Sequence, residues 1–153
     1  MRYPSINAFD VTTSNSKSRA RRLRVYLVED STIMVGLLRD LLTVDPRLEV
    51  VGESTNANTA IAGIAALVPD VAVIDIALED SSGFDVLKAL GKIDRDACPL
   101  RIVLSNFASE RYRTEAARLG ADYFFDKNGE ILELLKTLAA IAERNGSRSD
   151  SFM

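Results

Sequence analysis

Short apolar runs alternate with stretches of helical periodicity along most of the chain. Each run holds five to seven residues between polar or turn-forming residues, which is typical of strands. The runs are LRVYLV (23–28), LEVVGES (48–54), VAVID (71–75), LRIVLS (100–105) and ADYFF (121–125). Strands that are separated by helices in this way are typical of βαβ units, so the pattern predicts a parallel sheet.

Five helices are predicted between and after these runs. Three have apolar residues at i, i+3, i+4 and i+7, the spacing of one helix face. The three sets are Met34, Leu37, Leu38 and Leu41; Ile61, Ile64, Ala65 and Val68; and Ile131, Leu134, Leu135 and Leu138, the last in a helix that runs to about Arg144. A short helix is predicted over residues 84–90. Another, over residues 107–119, has few large apolar residues, and we expect it to be loosely held.

The strands are apolar almost throughout, so both faces of the sheet must be buried and helices must cover both sides. The sequence therefore predicts an α/β fold with a doubly wound, five-stranded parallel sheet and five helices. We assign residues 23–144 to this single domain, residues 1–22 to a disordered basic tail and residues 145–153 to a disordered C-terminal tail.

Composition agrees with an ordinary globular domain. The 153 residues are 47% hydrophobic and 27% charged, and no apolar run approaches the roughly 18 residues that a membrane-spanning helix requires. The N-terminal residues are polar and lack the hydrophobic segment of a secretory signal. We therefore expect a soluble protein located in the cytoplasm.

The chain contains no histidine and a single cysteine, Cys98. These counts exclude an internal disulfide, a Ser-His-Asp triad and a zinc site built from histidines or several thiolates. Any nucleophilic or acid–base chemistry must therefore use carboxylates, lysine or hydroxyl groups. We interpret Cys98 as a small hydrophobic residue rather than as a nucleophile.

Charge is distributed unevenly along the chain. Residues 1–22 hold five basic residues and one acidic residue, whereas the rest holds 14 basic and 21 acidic residues, a net charge of −7. An acidic body argues against nucleic-acid binding by the domain itself. The basic tail is either solvated and disordered, which its Ser- and Asn-rich composition favours, or a contact to nucleic acid or an acidic partner.

Polar residues follow four of the five predicted strands at their carboxyl ends. They are Glu29 and Asp30 after the first strand, Asp75 at the end of the third, Ser105 at the end of the fourth and Lys127 after the fifth. In an open parallel sheet these ends meet in one crevice. Three carboxylates in one crevice repel one another unless a cation lies among them, and an all-oxygen site suits Mg²⁺.

The motifs at these positions resemble those of the receiver domain of two-component response regulators. They are VED (28–30), DIALEDSSG (75–83), the LS of VLSN (103–106) and the DK of FFDKN (124–128). The resemblance extends over about residues 23–144. It implies a flavodoxin-like receiver fold and a stand-alone, single-domain protein that works in two-component or phosphorelay signalling.

The resemblance implies a role for each of these residues. Asp75 would be the phosphoacceptor, taking a phosphoryl group from a sensor histidine kinase or a histidine phosphotransfer protein. Lys127 and Ser105 would contact the phosphoryl oxygens. The Mg²⁺ ligands would be Glu29, Asp30, Asp75 and the backbone carbonyl of Ala77. The protein would promote its own phosphorylation and dephosphorylation, with no separate substrate turnover.

The resemblance also implies a switch and an output surface. Ser105 and Phe124 would move together when the protein is phosphorylated. The fourth helix, fifth strand and fifth helix would then present the surface that binds a downstream protein or a second copy of the chain.

Several positions depart from the usual receiver pattern. Glu79 and Asn128 stand where receivers commonly have proline, and Asn106 stands where a very small residue is usual. The resemblance also implies that Ala77 and Phe107 occupy positions that, in receivers, tune attack by water on the acyl phosphate, and neither side chain can orient a water. We therefore expect a long-lived phosphorylated form.

Two other functions fit the same residues. A pseudo-receiver would bind partners without being phosphorylated, although the full set of site residues argues against it. A small Mg²⁺-dependent phosphohydrolase would use Asp75 as a nucleophile, but such enzymes place a second acid two residues later, where this chain has Ala77. A nucleotide-binding module is disfavoured because no glycine-rich phosphate loop follows the first strand.

Overall fold

The computed structural model describes residues 21–151 and contains the predicted alternation of strands and helices. The strands are β1 (Leu23–Val28), β2 (Leu48–Ser54), β3 (Val71–Ile74), β4 (Leu100–Ser105) and β5 (Tyr123–Asp126). The helices are α1 (Thr32–Thr43), α2 (Ala57–Leu67), α3 (Gly83–Leu90), α4 (Glu110–Arg118) and α5 (Ile131–Ser151), with a 3₁₀ turn at Arg95–Ala97.

The five strands form one parallel sheet in the order β2-β1-β3-β4-β5. The chain moves outward from β1 to β2 and then returns to the other side of β1 to form β3. This reversal is a topological switch point, and ligands of doubly wound folds bind in the crevice at the carboxyl ends of the two strands that flank it. The predicted fold class is therefore confirmed, and the crevice lies where β1 and β3 end.

Helices cover both faces of the sheet, as predicted. On one face, α1 and α5 pack against the strands; the buried residues there include Leu23, Val25, Leu27, Leu38, Leu42, Val73, Ile102, Leu134 and Leu138. On the other face lie α2, α3 and α4; the buried residues there include Tyr26, Val28, Ala60, Ile64, Ile74, Val86, Leu87, Val103 and Ala116. Burial of this much aliphatic surface is the main force that holds the domain together.

Side chains cap three helices at the edge of the sheet where the crevice lies. Ser31 accepts a hydrogen bond from a backbone N–H in the first turn of α1, Asn56 does so for α2 and Ser82 for α3. Each cap satisfies an N–H group that has no partner within its own helix. The caps therefore fix where the loops of the crevice end and the helices begin.

The buried face of α1 differs from the predicted one. Val35, Leu38 and Leu42 are its buried residues, whereas Leu37 is 42% exposed and Met34 packs only partly against the core. Both sets of residues have helical spacing. Because α1 is apolar on more than one side, periodicity alone could not decide which side faces the sheet.

The predicted face of α2 also requires correction. Ile64 is buried as predicted, but Val68 lies beyond the last helical residue and is exposed, while Ala60 is fully buried. Val68 is exposed because it is the C-cap residue in a left-handed conformation. Nearer the middle of the helix, a Cβ atom added at Gly63 would lie only 2.2 Å from the hydroxyl oxygen of Tyr26 on β1. The helix thus packs closely on Tyr26, and small residues fit beneath it.

Several boundaries differ from the prediction; β3, for example, ends at Ile74 rather than at residue 75. β5 covers Tyr123–Asp126 rather than residues 121–125, and α4 begins at Glu110 rather than at residue 107. α5 continues to Ser151 instead of ending near Arg144, so the predicted C-terminal tail is helical backbone as far as that residue. No proline follows Arg144, and a single glycine lowers helix propensity without stopping a helix.

The predicted N-terminal tail lies outside the described residues, apart from Arg21 and Arg22. The guanidinium group of Arg21 donates two hydrogen bonds, of 2.7 and 2.8 Å, to the carboxylate of Asp70, just before β3 begins. None of the helices in the described part of the chain combines the length and the apolar character needed to cross a membrane.

Candidate functional site

The ends of β1 and β3 place two acidic side chains in the crevice. The Asp75 N–H donates to the carbonyl of Val28, and the Glu29 N–H donates to the carbonyl of Ser54, both at 2.9 Å. These bonds continue the sheet ladders by one residue and thereby fix the backbone of both acids. Glu29 and Asp75 are only 4% and 5% exposed, so their charges require partners.

Lys127 supplies a partner for both acids. Its Nζ atom lies 2.7 Å from Oε1 of Glu29 and 2.9 Å from Oδ2 of Asp75, and its side chain is 7% exposed. The backbone N–H of Lys127 donates to the carbonyl of Ser105 at 3.0 Å. This bond holds the start of the loop between β5 and α5, residues 127–130, beside β4; we call this segment the lysine loop. One ammonium group therefore bridges two buried carboxylates from β1 and β3.

Burial and charge shift the pKa values of two of these groups. Burial raises the pKa of Glu29, and the nearby charge of Asp75 adds to this effect, although the hydrogen bond from Lys127 opposes it. Burial alone would lower the pKa of Lys127, but the hydrogen bonds and charges of Glu29 and Asp75 outweigh burial and leave that pKa raised. Lys127 is therefore a permanent cation at neutral pH.

The three acids of the crevice form a cluster that can hold a divalent cation. Glu29, Asp30 and Asp75 each offer one carboxylate oxygen, and these oxygens all lie within 4.8 Å of one another. The donor set contains oxygen only, as Mg²⁺ prefers. Ala77, whose carbonyl is a predicted ligand, donates its N–H to Oδ1 of Asp75 at 3.2 Å, and the role of its carbonyl stays a prediction.

Close packing against the backbone of Asp75 explains why position 83, eight residues later, is a glycine. A Cβ atom added at Gly83 would lie 2.2 Å from the carbonyl oxygen of Asp75 and 2.9 Å from Cγ2 of Ile74. The start of α3 therefore packs directly on the backbone of Asp75, and only glycine fits there.

Ser105 and the two residues after it form the adjacent wall of the crevice. Ser105 is fully buried, and its Oγ accepts a hydrogen bond from the N–H of Phe107 at 3.1 Å. A hydroxyl that accepts one bond keeps its own hydrogen as a donor, which agrees with the predicted contact to a phosphoryl oxygen but does not test it. Asn106 and Phe107 are exposed at the surface.

Phe124 lies on β5 and is half-buried against the α4 side of the core. The guanidinium carbon of Arg113 on α4 lies 4.8 Å from the centre of its ring, a cation–π contact. The predicted switch role of Phe124 stays a prediction.

The comparisons with known proteins agree with this site. The family described as the response regulator receiver domain matches residues 25–139. The chain belongs to this family. The predicted receiver fold is also confirmed, because solved receiver structures superimpose on nearly all of the described domain.

Curated relatives of this receiver come from several bacteria. The chemotaxis protein CheY of Thermotoga maritima is 31% identical over 120 residues, which cover 78% of this chain and 98% of CheY. The uncharacterized transcriptional regulatory protein YvfU of Bacillus subtilis is 32% identical over 112 residues, 73% of this chain but 55% of YvfU. The chain also covers 52% of the transcriptional activator DevR/DosR of Mycobacterium tuberculosis, so it spans about half of these two regulators.

Among solved structures, the response regulator domain of Thermotoga maritima CheB has a TM-score of 0.70 and 27% identity, and the match covers 83% of this receiver and 98% of that chain. The signal receiver domain of NarL from Mycobacterium tuberculosis has a TM-score of 0.72 at 23% identity, over 80% of this receiver and 98% of that chain, and supports the fold alone.

The sequence analysis missed two residues that structure the lysine loop of this receiver. Glu130 accepts a hydrogen bond from the backbone N–H of Asp126, and Arg113 contacts both Glu130 and Phe124. A Ser, Thr, Asp or Asn just before α5 would have been a signal for a capping residue, but Glu130 is none of these, so its bond from the Asp126 N–H could not be predicted. Arg113 carries no signal either, because its partners come from other elements.

Proposed function

We propose that this receiver accepts a phosphoryl group on the carboxylate of Asp75. The observation that carries the proposal is the position of the Lys127 ammonium, which contacts Asp75 at 2.9 Å and Glu29 at 2.7 Å. A phosphoryl group on Asp75 would present its negative oxygens to this same ammonium. Phosphoryl transfer needs positioning and charge compensation more than covalent chemistry, and the crevice offers both.

The transfer step exchanges one bond to phosphorus for another. A carboxylate oxygen of Asp75 forms a bond to phosphorus while the bond from phosphorus to a donor histidine nitrogen breaks, and the electron pair of that bond stays on the donor imidazole. The product is an aspartyl phosphate. Because this chain contains no histidine, the donor is another molecule, a sensor histidine kinase or a histidine phosphotransfer protein.

Mg²⁺ is the cation that we assign to the acidic cluster. Glu29, Asp30 and Asp75 would hold it together with the backbone carbonyl of Ala77, and their closely spaced oxygens support this assignment. When bound, Mg²⁺ would offset the negative charge of the phosphoryl oxygens. Lys127, which follows β5, pairs with those oxygens, and Ser105 donates a hydrogen bond to one of them.

The output of the receiver is a contact with a downstream protein through α4, β5 and α5. Ser105 and Phe124 would act as the switch. The alternative to a downstream protein on this surface is a second copy of the chain. Among the described residues of α4, Ala116 is the only buried one, so few core contacts resist a shift of this helix. We also propose that the protein is located in the cytoplasm and that its basic tail adds contacts to nucleic acid or to an acidic partner.

The site favours this function over the two alternatives. Burial of an ammonium between two carboxylates costs folding free energy. A pseudo-receiver gains nothing from this arrangement, whereas a phosphoacceptor uses it. A phosphohydrolase needs an acid to protonate its leaving group, and the residue two positions after Asp75 is an alanine whose N–H points to the Asp75 carboxylate.

The test is the intact mass of the protein after incubation with Mg²⁺ and acetyl phosphate. We expect one phosphoryl adduct in the wild type, no adduct with EDTA and none in the Asp75→Asn variant. Asp80→Asn is the matched control, because Asp80 is an exposed acid of the same loop. If wild type forms no adduct with acetyl phosphate or with candidate kinases, the pseudo-receiver takes the place of this proposal.

A further inference from the structure

The loop that carries Lys127 is held by carboxylates rather than by proline. Oδ1 of Asp126 accepts the N–H of Asn128 at 2.8 Å, and the Asp126 carbonyl accepts the N–H of Glu130 at 2.8 Å. In return, Oε1 of Glu130 accepts the N–H of Asp126, also at 2.8 Å. Asp126 and Glu130 therefore close the turn around Lys127 from both sides, at the position where receivers commonly have proline.

Arg113 connects this turn to the neighbouring elements. Its Nη2 atom lies 3.3 Å from Oε1 of Glu130, and its Nη1 atom lies 3.4 Å from the carbonyl oxygen of Phe124. Its Nε donates to the carbonyl of Ala108, in the loop before α4, at 3.0 Å. The same guanidinium lies over the ring of Phe124. One side chain of α4 thus contacts the lysine loop, β5 and the loop after Ser105.

The contacts of Glu130 differ in strength. Arg113 and Glu130 are 39% and 41% exposed, and an ion pair between side chains as exposed as these contributes little. The bond from the Asp126 N–H to the Glu130 carboxylate is stronger, because an ionised acceptor roughly doubles the strength of a hydrogen bond. The backbone bond is therefore the main function of Glu130, and Arg113 orients the carboxylate that makes it.

We propose that Glu130 is a positioning residue for phosphoryl transfer, which holds the Lys127 turn so that the ammonium reaches Glu29 and Asp75, and that Arg113 ties this turn to Phe124. This inference rests on the proposed function of the site. Lysine has a long, flexible side chain, so the backbone of its turn decides where the ammonium lies. A displacement of about 1 Å in such a group slows transfer strongly.

Three variants separate the backbone bond from other effects of the charge. Glu130→Ala removes the acceptor, Glu130→Gln keeps an oxygen that can accept the Asp126 N–H, and Glu133→Ala removes an exposed acid from the first turn of α5. The measurement is the rate of adduct formation with acetyl phosphate. We expect a roughly 3- to 10-fold slower rate for Glu130→Ala, a smaller loss for Glu130→Gln, whose neutral oxygen accepts a weaker bond, and a rate within about twofold of wild type for Glu133→Ala.

Magnesium affinity distinguishes positioning from loss of structure. A distorted site would lose Mg²⁺ affinity together with rate. We expect the affinity of Glu130→Ala for Mg²⁺ to be equal to or higher than that of wild type, since a displaced Lys127 competes less for Glu29 and Asp75. Arg113→Gln should slow transfer about twofold, and Arg111→Gln, which alters an exposed arginine of α4, should not.

The measurements distinguish a failure of the positioning role from a failure of the proposed function. If wild type forms no adduct, the phosphoacceptor proposal fails. If wild type forms the adduct and Glu130→Ala forms it equally fast, the positioning role is wrong. The role is also wrong if Glu130→Gln or Glu133→Ala loses as much rate as Glu130→Ala, or if Glu130→Ala loses rate and Mg²⁺ affinity together.

Discussion

Lys127 and Glu29 form an ion pair of 2.7 Å in the floor of the crevice, although one follows the last strand of the sheet and the other follows the first. Both side chains are almost fully buried. The pair brings a cation to the place where Asp75 would carry a phosphoryl group, and it would also compete with a metal ion for the Glu29 carboxylate. The two roles lead to different predictions for stability and for metal binding.

Replacement of Lys127 by methionine should destabilise the metal-free protein by about 3 kcal/mol, because two buried carboxylates lose their partner. The free energy of unfolding in urea measures this. Mg²⁺ should restore part of the loss, since the freed carboxylates can bind it. Lys136→Met, at an exposed position of α5, is the control, and an equal loss in both variants would show that the buried contact does not stabilise the fold.

The pKa of Glu29 predicts how stability depends on pH. This pKa is raised above the ordinary 4.5, so between 4.5 and the raised value the folded chain binds the proton more tightly than the unfolded chain. The contribution of Glu29 to stability is therefore greatest at the acidic end of this window and falls as pH rises through the raised pKa. Lys127 itself does not titrate in this window, because its own raised pKa confines its loss of a proton to strongly alkaline pH.

Urea unfolding between about pH 5 and pH 7.5, with and without Mg²⁺, tests the sign of this effect. Mg²⁺ binds the ionised carboxylate, so its stabilising effect should grow with pH in the wild type. The growth should be smaller in Glu29→Gln, which cannot ionise at this position. A stabilisation by Mg²⁺ that is independent of pH in the wild type would contradict this account.

Gly83→Ala should destabilise the protein by at least about 2 kcal/mol and slow adduct formation, because the added Cβ would displace the backbone of Asp75. Gly36→Ala is the matched control. Gly36 lies in α1 with no atom within 4 Å of an added Cβ, so alanine should stabilise that helix by about 0.5–1 kcal/mol. Thermal unfolding and the adduct mass measure both effects, and a harmless Gly83→Ala would refute the close packing.

Ala77→Asn tests the expected long life of the phosphorylated form. Ala77 is exposed beside Asp75 and has no polar side-chain atom, so it cannot orient an attacking water. Asparagine can, and we expect the isolated phosphorylated variant to lose its phosphoryl group at least about threefold faster than wild type. Equal or slower decay would mean that water reaches the acyl phosphate without help from this position.

Much of the fold was predictable because strand signals are local. The runs that became β1, β2 and β4 have the predicted bounds, and Glu29, Asp75, Ser105 and Lys127 converge because parallel strands end at one edge. The buried sides of α1 and α2 were not predictable in the same way. α1 is apolar on two sides, and the packing of α2 depends on the ring of Tyr26, which belongs to another element.

The contacts of the site were less predictable than its members. The sequence indicated that Lys127 belongs to the crevice, but its bridge between Glu29 and Asp75 depends on side-chain directions that no local pattern encodes. Arg113 lies on α4 and Glu130 lies just before α5, at positions where charged side chains ordinarily face solvent. Only the placement of α4 beside β5 brings them together.

The most direct test of the central claim is to locate the phosphoryl group on the chain. After reaction with acetyl phosphate and Mg²⁺, borohydride reduces an aspartyl phosphate to homoserine, and peptide mass mapping then identifies the residue. We predict homoserine at position 75 and unmodified aspartate at positions 30 and 80. Homoserine at another aspartate, or none in a sample that carries the adduct, would contradict the assignment of Asp75 as the phosphoacceptor.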